Sequence, residues 1–141
     1  MGTMTNASLV LVGNSQGGTI SVLRLAEGEL TPVQTTFVGQ GCGTFAVDQE
    51  RRLVYAATSA PRPAILTLTL DPATGALNEI ARTDLPDKLA YLSLTRGGTV
   101  LLGASYHGGW GAVWPISEGT LGAATGRVEF PNVHCVVTDP A

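Results

Sequence analysis

The feature that most constrains the fold of this chain is an internal repeat. Three segments align without gaps over ten residues each: Leu9–Gly18, Leu53–Arg62 and Val100–Gly109. They begin 44 and 47 residues apart, close to the roughly 40–50 residues of one β-propeller blade. The repeat therefore predicts stacked copies of one small unit, each stabilised by its neighbours.

Each repeat has the sequence pattern of a four-stranded antiparallel sheet. Each repeat begins with a short apolar run, which is followed by a polar or glycine-containing loop. A second strand with alternating apolar residues comes next, and then a tight turn that is closed by a leucine. The chain then crosses to a further apolar segment, which is Cys42–Val47, Leu89–Leu94 or His134–Val137. With strands labelled A to D outwards from the ring axis, the predicted order is BCD-ABCD-ABCD-A. The fold class is therefore all-β, with about three propeller blades.

This pattern also predicts how the chain is organised. Residues 1–8 are expected to be a flexible N-terminus, and residues 9–141 a partial β-propeller. Three blades do not close a ring comfortably, and a blade cannot bury both of its faces alone. We expect the remaining blades from another chain or from a second copy, unless this chain is a fragment of a longer one. A homodimer is one such arrangement, in which the last A strand of each copy completes the first sheet of the other.

Composition excludes several partners. The eight Lys and Arg residues are scattered and the net charge is −3, so there is no basic stripe for nucleic acid. No apolar stretch approaches the roughly 18 residues of a membrane span, and no basic residue precedes the first apolar run, as it would in a signal peptide. A cytoplasmic location is expected. Cys42 and Cys135 lack the spacing of a disulfide framework or a metal site, so we expect no cofactor.

Longer stretches of the repeats resemble a known family. The sequences "YAATSAPRPAILTLTLDPATGAL" from Tyr55, "ASYHGGWGAVWPISEGTLG" from Ala104 and "NVHCVVTDP" from Asn132 are similar to the propeller lactonases. That family includes bacterial 6-phosphogluconolactonases and fungal carboxymuconate cyclases. The resemblance implies a seven-bladed ring, of which this chain holds the N-terminal three blades, and a role in carbohydrate metabolism.

One position of the repeat points to a site. The first residues of the three predicted A strands align as Gly43, Ala90 and His134. Blade packing gives no reason for a histidine where two small residues stand in the other repeats. In propellers the loops before strand A and the loops between strands B and C open at the same end of the channel, which brings Tyr106 and His107 beside His134.

Arg62 and Ser105 complete the predicted site. Arg62 lies between two prolines in the middle repeat, and a restrained arginine suits a phosphate or a carboxylate. Ser105 opens the third loop between strands B and C.

The resemblance implies a lactone hydrolase acting on a sugar lactone in the channel. His134 would be the general base or a polarising group, and Tyr106, His107, Arg62 and Ser105 would bind the substrate. Two alternatives are a muconate-type lactonising cyclase, which acts on a small carboxylate, and a non-catalytic propeller that serves binding or assembly. Because further site residues would lie in other blades, the chain alone is expected to lack full activity.

Overall fold

The computed structural model describes residues 8–139, which form twelve β-strands in three antiparallel sheets. The first sheet contains β1 (Ser8–Asn14), β2 (Thr19–Ala26) and β3 (Glu29–Phe37). The second contains β4 (Thr44–Asp48), β5 (Leu53–Thr58), β6 (Ala64–Leu70) and β7 (Leu77–Asp84). The third contains β8 (Tyr91–Leu94), β9 (Val100–Ser105) and β10 (Trp110–Ser117), with two short strands, β11 (Thr120–Leu121) and β12 (Gly126–Glu129), that both pair with β10. Within residues 8–139, no helix is long and apolar enough to cross a lipid bilayer.

The predicted all-β class and the order of the blades are confirmed. The sheets follow the order BCD, ABCD and ABCD, and the D position of the third blade is divided between β11 and β12. The last predicted A strand, His134–Val137, is not a regular strand. An innermost strand pairs only with the strand that follows it, and the described residues contain no such partner. The predicted flexible segment 1–8 lies outside the described residues except for Ser8, which begins β1.

The middle blade is buried because it has a neighbour on each face. All six residues of β5 are buried, and alternate residues of a strand point to opposite faces. Tyr55 belongs to the core cluster that contains Trp110 of the third blade. Val54 belongs to the cluster that contains Ile20 and Val22 of the first blade. Each core is therefore an interface between two blades, as the repeat predicts.

Hydrogen bonds also join neighbouring blades. The hydroxyl of Tyr55 donates to the carbonyl of Gly119 at 2.8 Å. Near the ring axis, the backbone N–H of Leu92 in β8 donates to Oγ1 of Thr44 in β4 at 3.0 Å. The hydroxyl of Ser93 then donates to the carbonyl of Val136. The segment after His134 thus lies beside β8 as β8 lies beside β4, which is the place of the innermost strand of a next blade.

Thr58 carries a buried hydroxyl without a hydrogen-bond partner among the described residues. The equivalent hydroxyl in the third blade belongs to Ser105 and accepts a hydrogen bond from the N–H of Gly108, three residues later, at 3.0 Å. Three residues after Thr58 the chain has Pro61, and proline has no N–H to donate. The middle repeat therefore keeps the hydroxyl but lacks its donor.

We expect the substitution Thr58→Val to raise the free energy of unfolding by about 1 kcal/mol, because it replaces a buried, unpaired hydroxyl by a methyl group of similar size. Urea denaturation followed by circular dichroism measures this change. The matched control is Ser105→Ala, which removes a hydroxyl with two partners and should lower the free energy of unfolding by about 1–3 kcal/mol. Equal losses in both variants would contradict the explanation given for Thr58.

Candidate functional site

A cavity of about 450 Å³ lies where the loops before the A strands meet the loops between the B and C strands. Its volume falls in the range of roughly 300–1,000 Å³ that is typical of sites for small molecules. Residues from all three blades line it: Ser15, Gly41, Gly43, Ser59, Lys88, Leu89, Ala90, Tyr106, His107 and His134. The cavity therefore opens at the channel end that the repeat alignment predicts.

Most of the lining comes from equivalent positions of the repeat. The first residue after each B strand contributes one set, and a second set consists of the residue directly before β4, the residue directly before β8 and the first residue of the predicted A segment that follows β12. The first set is Ser15, Ser59 and Tyr106, and the second is Gly43, Ala90 and His134. In both sets the third repeat carries the large ring side chain, so Tyr106 and His134 lie together at one side of the cavity.

The imidazole of His134 is oriented by the backbone beside it. Its Nδ1 lies 3.0 Å from the carbonyl oxygen of Asn132. A carbonyl oxygen only accepts hydrogen bonds, so this contact requires a proton on Nδ1 and leaves Nε2 of the neutral ring with its lone pair. Asn132 has a positive φ of 60°, a conformation that asparagine tolerates better than most residues, and it lies in a turn two residues before His134.

Two further rings stand beside His134. The ring of Tyr106 lies 4.5 Å from that of His134, centroid to centroid, at an interplanar angle of 60°. The ring of His107 lies 5.5 Å from that of Tyr106 at 80°. The turn after β9 presents both side chains, and it closes through a hydrogen bond from the N–H of Gly109 to the carbonyl of Ser105 at 3.0 Å. Gly109 has a φ of +70°, which glycine adopts without steric cost.

The other two predicted site residues lie elsewhere. The hydroxyl of Ser105 is buried and already used, since it donates to the carbonyl of Lys88 at 2.7 Å and accepts from the N–H of Gly108. The guanidinium of Arg62 lies 3.8 Å from the carboxylate of Asp84, and both side chains are exposed. Neither Ser105 nor Arg62 lines the cavity. The structure therefore brings together His134, Tyr106 and His107, but not Ser105 or Arg62.

Lys88 lines the cavity and was missed by the sequence analysis. A signal for it is present in the repeat. Two residues before Gly43, Ala90 and His134 the alignment gives Gly41, Lys88 and Asn132. The predicted A segments begin after this loop position, so the pattern of apolar segments does not single it out.

The cavity offers a cation and two imidazoles, and no Asp or Glu lines it among the described residues. Such a set of side chains suits an anionic ligand. Within residues 8–139, no three His, Cys, Asp or Glu side chains are grouped so that they could hold a metal ion. Cys42 is packed in the core between the first two blades, where burial raises the pKa of its thiol to about 11. Cys135 is exposed.

Comparisons with known proteins agree with the propeller architecture. The sequence profile of the family described as "Lactonase, 7-bladed beta-propeller" matches residues 1–141. Comparison with curated protein sequences gave no match. Among solved structures, a proposed 6-phosphogluconolactonase of Bacteroides uniformis aligns with a TM-score of 0.75 and 19% identity, over 86% of this chain and 37% of its own.

Two further structures align in the same way. A proposed 6-phosphogluconolactonase of Bacteroides fragilis has a TM-score of 0.70 and 26% identity, over 88% of this chain and 36% of its own. The periplasmic gluconolactonase PpgL of Pseudomonas aeruginosa has a TM-score of 0.71 and 20% identity, over 84% of this chain and 36% of its own. This chain thus spans little more than a third of the length of these structures.

Proposed function

Since this chain belongs to the seven-bladed β-propeller lactonase family, we propose that it provides the catalytic base and part of the substrate cavity of a lactone hydrolase. The proposed substrate is a sugar lactone of the type that 6-phosphogluconolactonases open. The observation that supports this most is the geometry of His134. Its Nδ1 is engaged by a backbone carbonyl, so Nε2 is left to act as a base in a cavity shared with Tyr106 and His107.

In the proposed reaction Nε2 of His134 takes a proton from a water molecule as that water attacks the carbonyl carbon of the lactone. The C–O bond within the ring then breaks, and the imidazolium returns the proton to the departing ring oxygen, which leaves an open-chain hydroxy acid. The Asn132 carbonyl stabilises the imidazolium, because Nδ1–H still donates to it. The hydroxyl of Tyr106 is the proposed donor to the carbonyl oxygen on which negative charge develops.

We propose that further blades complete the ring, whether from the same polypeptide, another chain or a second copy. An apolar groove of about 550 Å³ supports this. It lies on the face of the third blade that does not pack against the second blade. Phe130 is 61% exposed there and Val128 54%, whereas the first and second blades each share a buried apolar core with the next blade. An exposed apolar face of this kind is typical of a surface that another protein element covers.

The test is hydrolysis of glucono-1,5-lactone and of its 6-phosphate. The rate of hydrolysis is measured from the release of protons. It is measured on size-exclusion fractions of the chain whose mass is known from light scattering, and on a fusion of residues 8–139 to blades four to seven of a related lactonase. We expect hydrolysis by the fusion and by any fraction in which copies close a ring. The control is blades four to seven of the related lactonase, expressed without residues 8–139 of this chain.

Absence of hydrolysis in every form would contradict the proposal. Formation of a lactone from a muconate would instead favour the lactonising cyclase, and binding without turnover would favour the non-catalytic propeller.

A further inference from the structure

Lys88 is the only lysine in the sequence, and it brings a positive charge to the cavity of His134 and Tyr106. It lies in the loop of residues 85–90, between β7 and β8, and its side chain is exposed. It forms no salt bridge with any residue between 8 and 139. Its ammonium group is therefore available to a bound anion, unlike the guanidinium of Arg62, which lies beside Asp84.

The backbone that carries Lys88 is held on both sides. The carboxylate of the preceding Asp87 accepts a hydrogen bond from Nε1 of the buried Trp110 at 2.9 Å. The carbonyl of Lys88 itself accepts from the hydroxyl of Ser105 at 2.7 Å, and the next residue, Leu89, is buried. A cation on a fixed backbone loses less conformational freedom on binding than one on a mobile loop.

Among the three equivalent positions of the repeat, only Lys88 carries a charge. The equivalent residues of the other two repeats, Gly41 and Asn132, are uncharged. Blade packing therefore does not require a cation at this position. Within the described residues no carboxylate lines the cavity, and the nearest acidic residue in sequence, Asp87, is bonded to Trp110.

We propose that Lys88 selects an anionic substrate, by pairing its ammonium group with a phosphate or carboxylate while the lactone carbonyl meets His134. This inference rests on the proposed function and deepens it, because it assigns the residue that sets the charge of the substrate. Phosphate and carboxylate present similar oxygen acceptors to an ammonium group. A phosphorylated sugar lactone would present the phosphate, and a small dicarboxylic acid would present the carboxylate.

The experiment is isothermal titration calorimetry of the full chain with unreactive probes. The first probe is 1,5-anhydroglucitol 6-phosphate, the second is adipate, and uncharged 1,5-anhydroglucitol is the reference. We expect the anionic probe that matches the substrate to bind at least tenfold more tightly than the uncharged ring. Lys88→Gln should abolish this preference, and Lys88→Arg should keep it within about threefold. Tighter binding of the phosphate probe indicates the sugar source, and tighter binding of adipate the dicarboxylate source.

A second measurement uses the fact that there is only one lysine. Acetylation of Lys88 by an amine-reactive ester, followed by mass spectrometry, should slow at least fivefold when the preferred anionic probe is present at saturation. The matched control is Arg62→Gln, which removes a cation outside the cavity and should leave both measurements unchanged.

The inference is overturned if Lys88→Gln binds the anionic probes as tightly as the unsubstituted chain, or if Arg62→Gln is the variant that loses the preference. It is also overturned if the unsubstituted chain does not distinguish charged from uncharged probes. Because the probes are not hydrolysed, a chain that binds them through Lys88 but opens no lactone would contradict only the proposed function.

Discussion

Replacing His134 with alanine is expected to lower kcat for lactone opening by about 100- to 10,000-fold, the usual contribution of a positioned general base. The variant keeps the cavity, Lys88 and the turn that carries Tyr106, so binding of substrate should change little. The expected loss lies in kcat and not in KM, because the base acts on the attacking water and not on the bound ground state.

The chain offers a matched control for this variant. Its two histidines, His107 and His134, both line the cavity, but within residues 8–139 only His134 has a ring nitrogen bonded to a backbone carbonyl. We expect His107→Ala to raise KM by less than about tenfold and to leave kcat within about threefold. Equal losses of kcat in both variants would mean that the two imidazoles share the role.

The substitution Trp110→Ala is expected to lower the free energy of unfolding by about 3–5 kcal/mol, the range for removing a large buried aromatic side chain. Trp110 is 1% exposed, and its ring meets that of Trp114 edge-on, with centroids 6.4 Å apart. The guanidinium carbon of Arg127 lies 4.9 Å from the centre of the Trp110 ring, and Nε1 donates to Asp87. The variant therefore removes apolar packing between the second and third blades together with a hydrogen bond to the loop of Lys88.

Trp110→Phe separates these contributions. It keeps most of the apolar surface but removes the N–H that Asp87 accepts, so we expect a loss of about 1–2 kcal/mol. Urea unfolding followed by far-ultraviolet circular dichroism gives both values. A loss below about 1 kcal/mol for Trp110→Ala would show that the second and third blades are not held together at this interface.

The fold was predictable because blades repeat. The apolar run of β5, the alternation in β6 and the spacing of the turns indicate which strands pair, and the alignment of the repeats places the loops at one channel end. The segment His134–Val137 was predicted as a strand from its apolar residues, but apolar pattern alone does not provide a pairing partner. Within the described residues, strand hydrogen bonding therefore ends with β12.

The site was predictable in part for the same reason. Alignment identifies positions that share a channel end, and the rings of His134 and Tyr106 lie 4.5 Å apart there, centroid to centroid. It does not say which way a loop side chain turns. Arg62 turns towards Asp84 at the end of β7, and Ser105, as the last residue of β9, is drawn into the buried part of the blade. Their surroundings come from neighbouring strands, which a single repeat does not reveal.

The equivalence of the lining positions has a consequence for protein engineering. Ser15 and Ser59 occupy, in the first two blades, the place that Tyr106 occupies in the third. Each follows directly after its strand, so its side chain can be exchanged without altering strand pairing. A library restricted to these two codons would therefore introduce new aromatic, acidic or basic groups from two further directions, and the selectivity of the cavity can be redesigned one blade at a time.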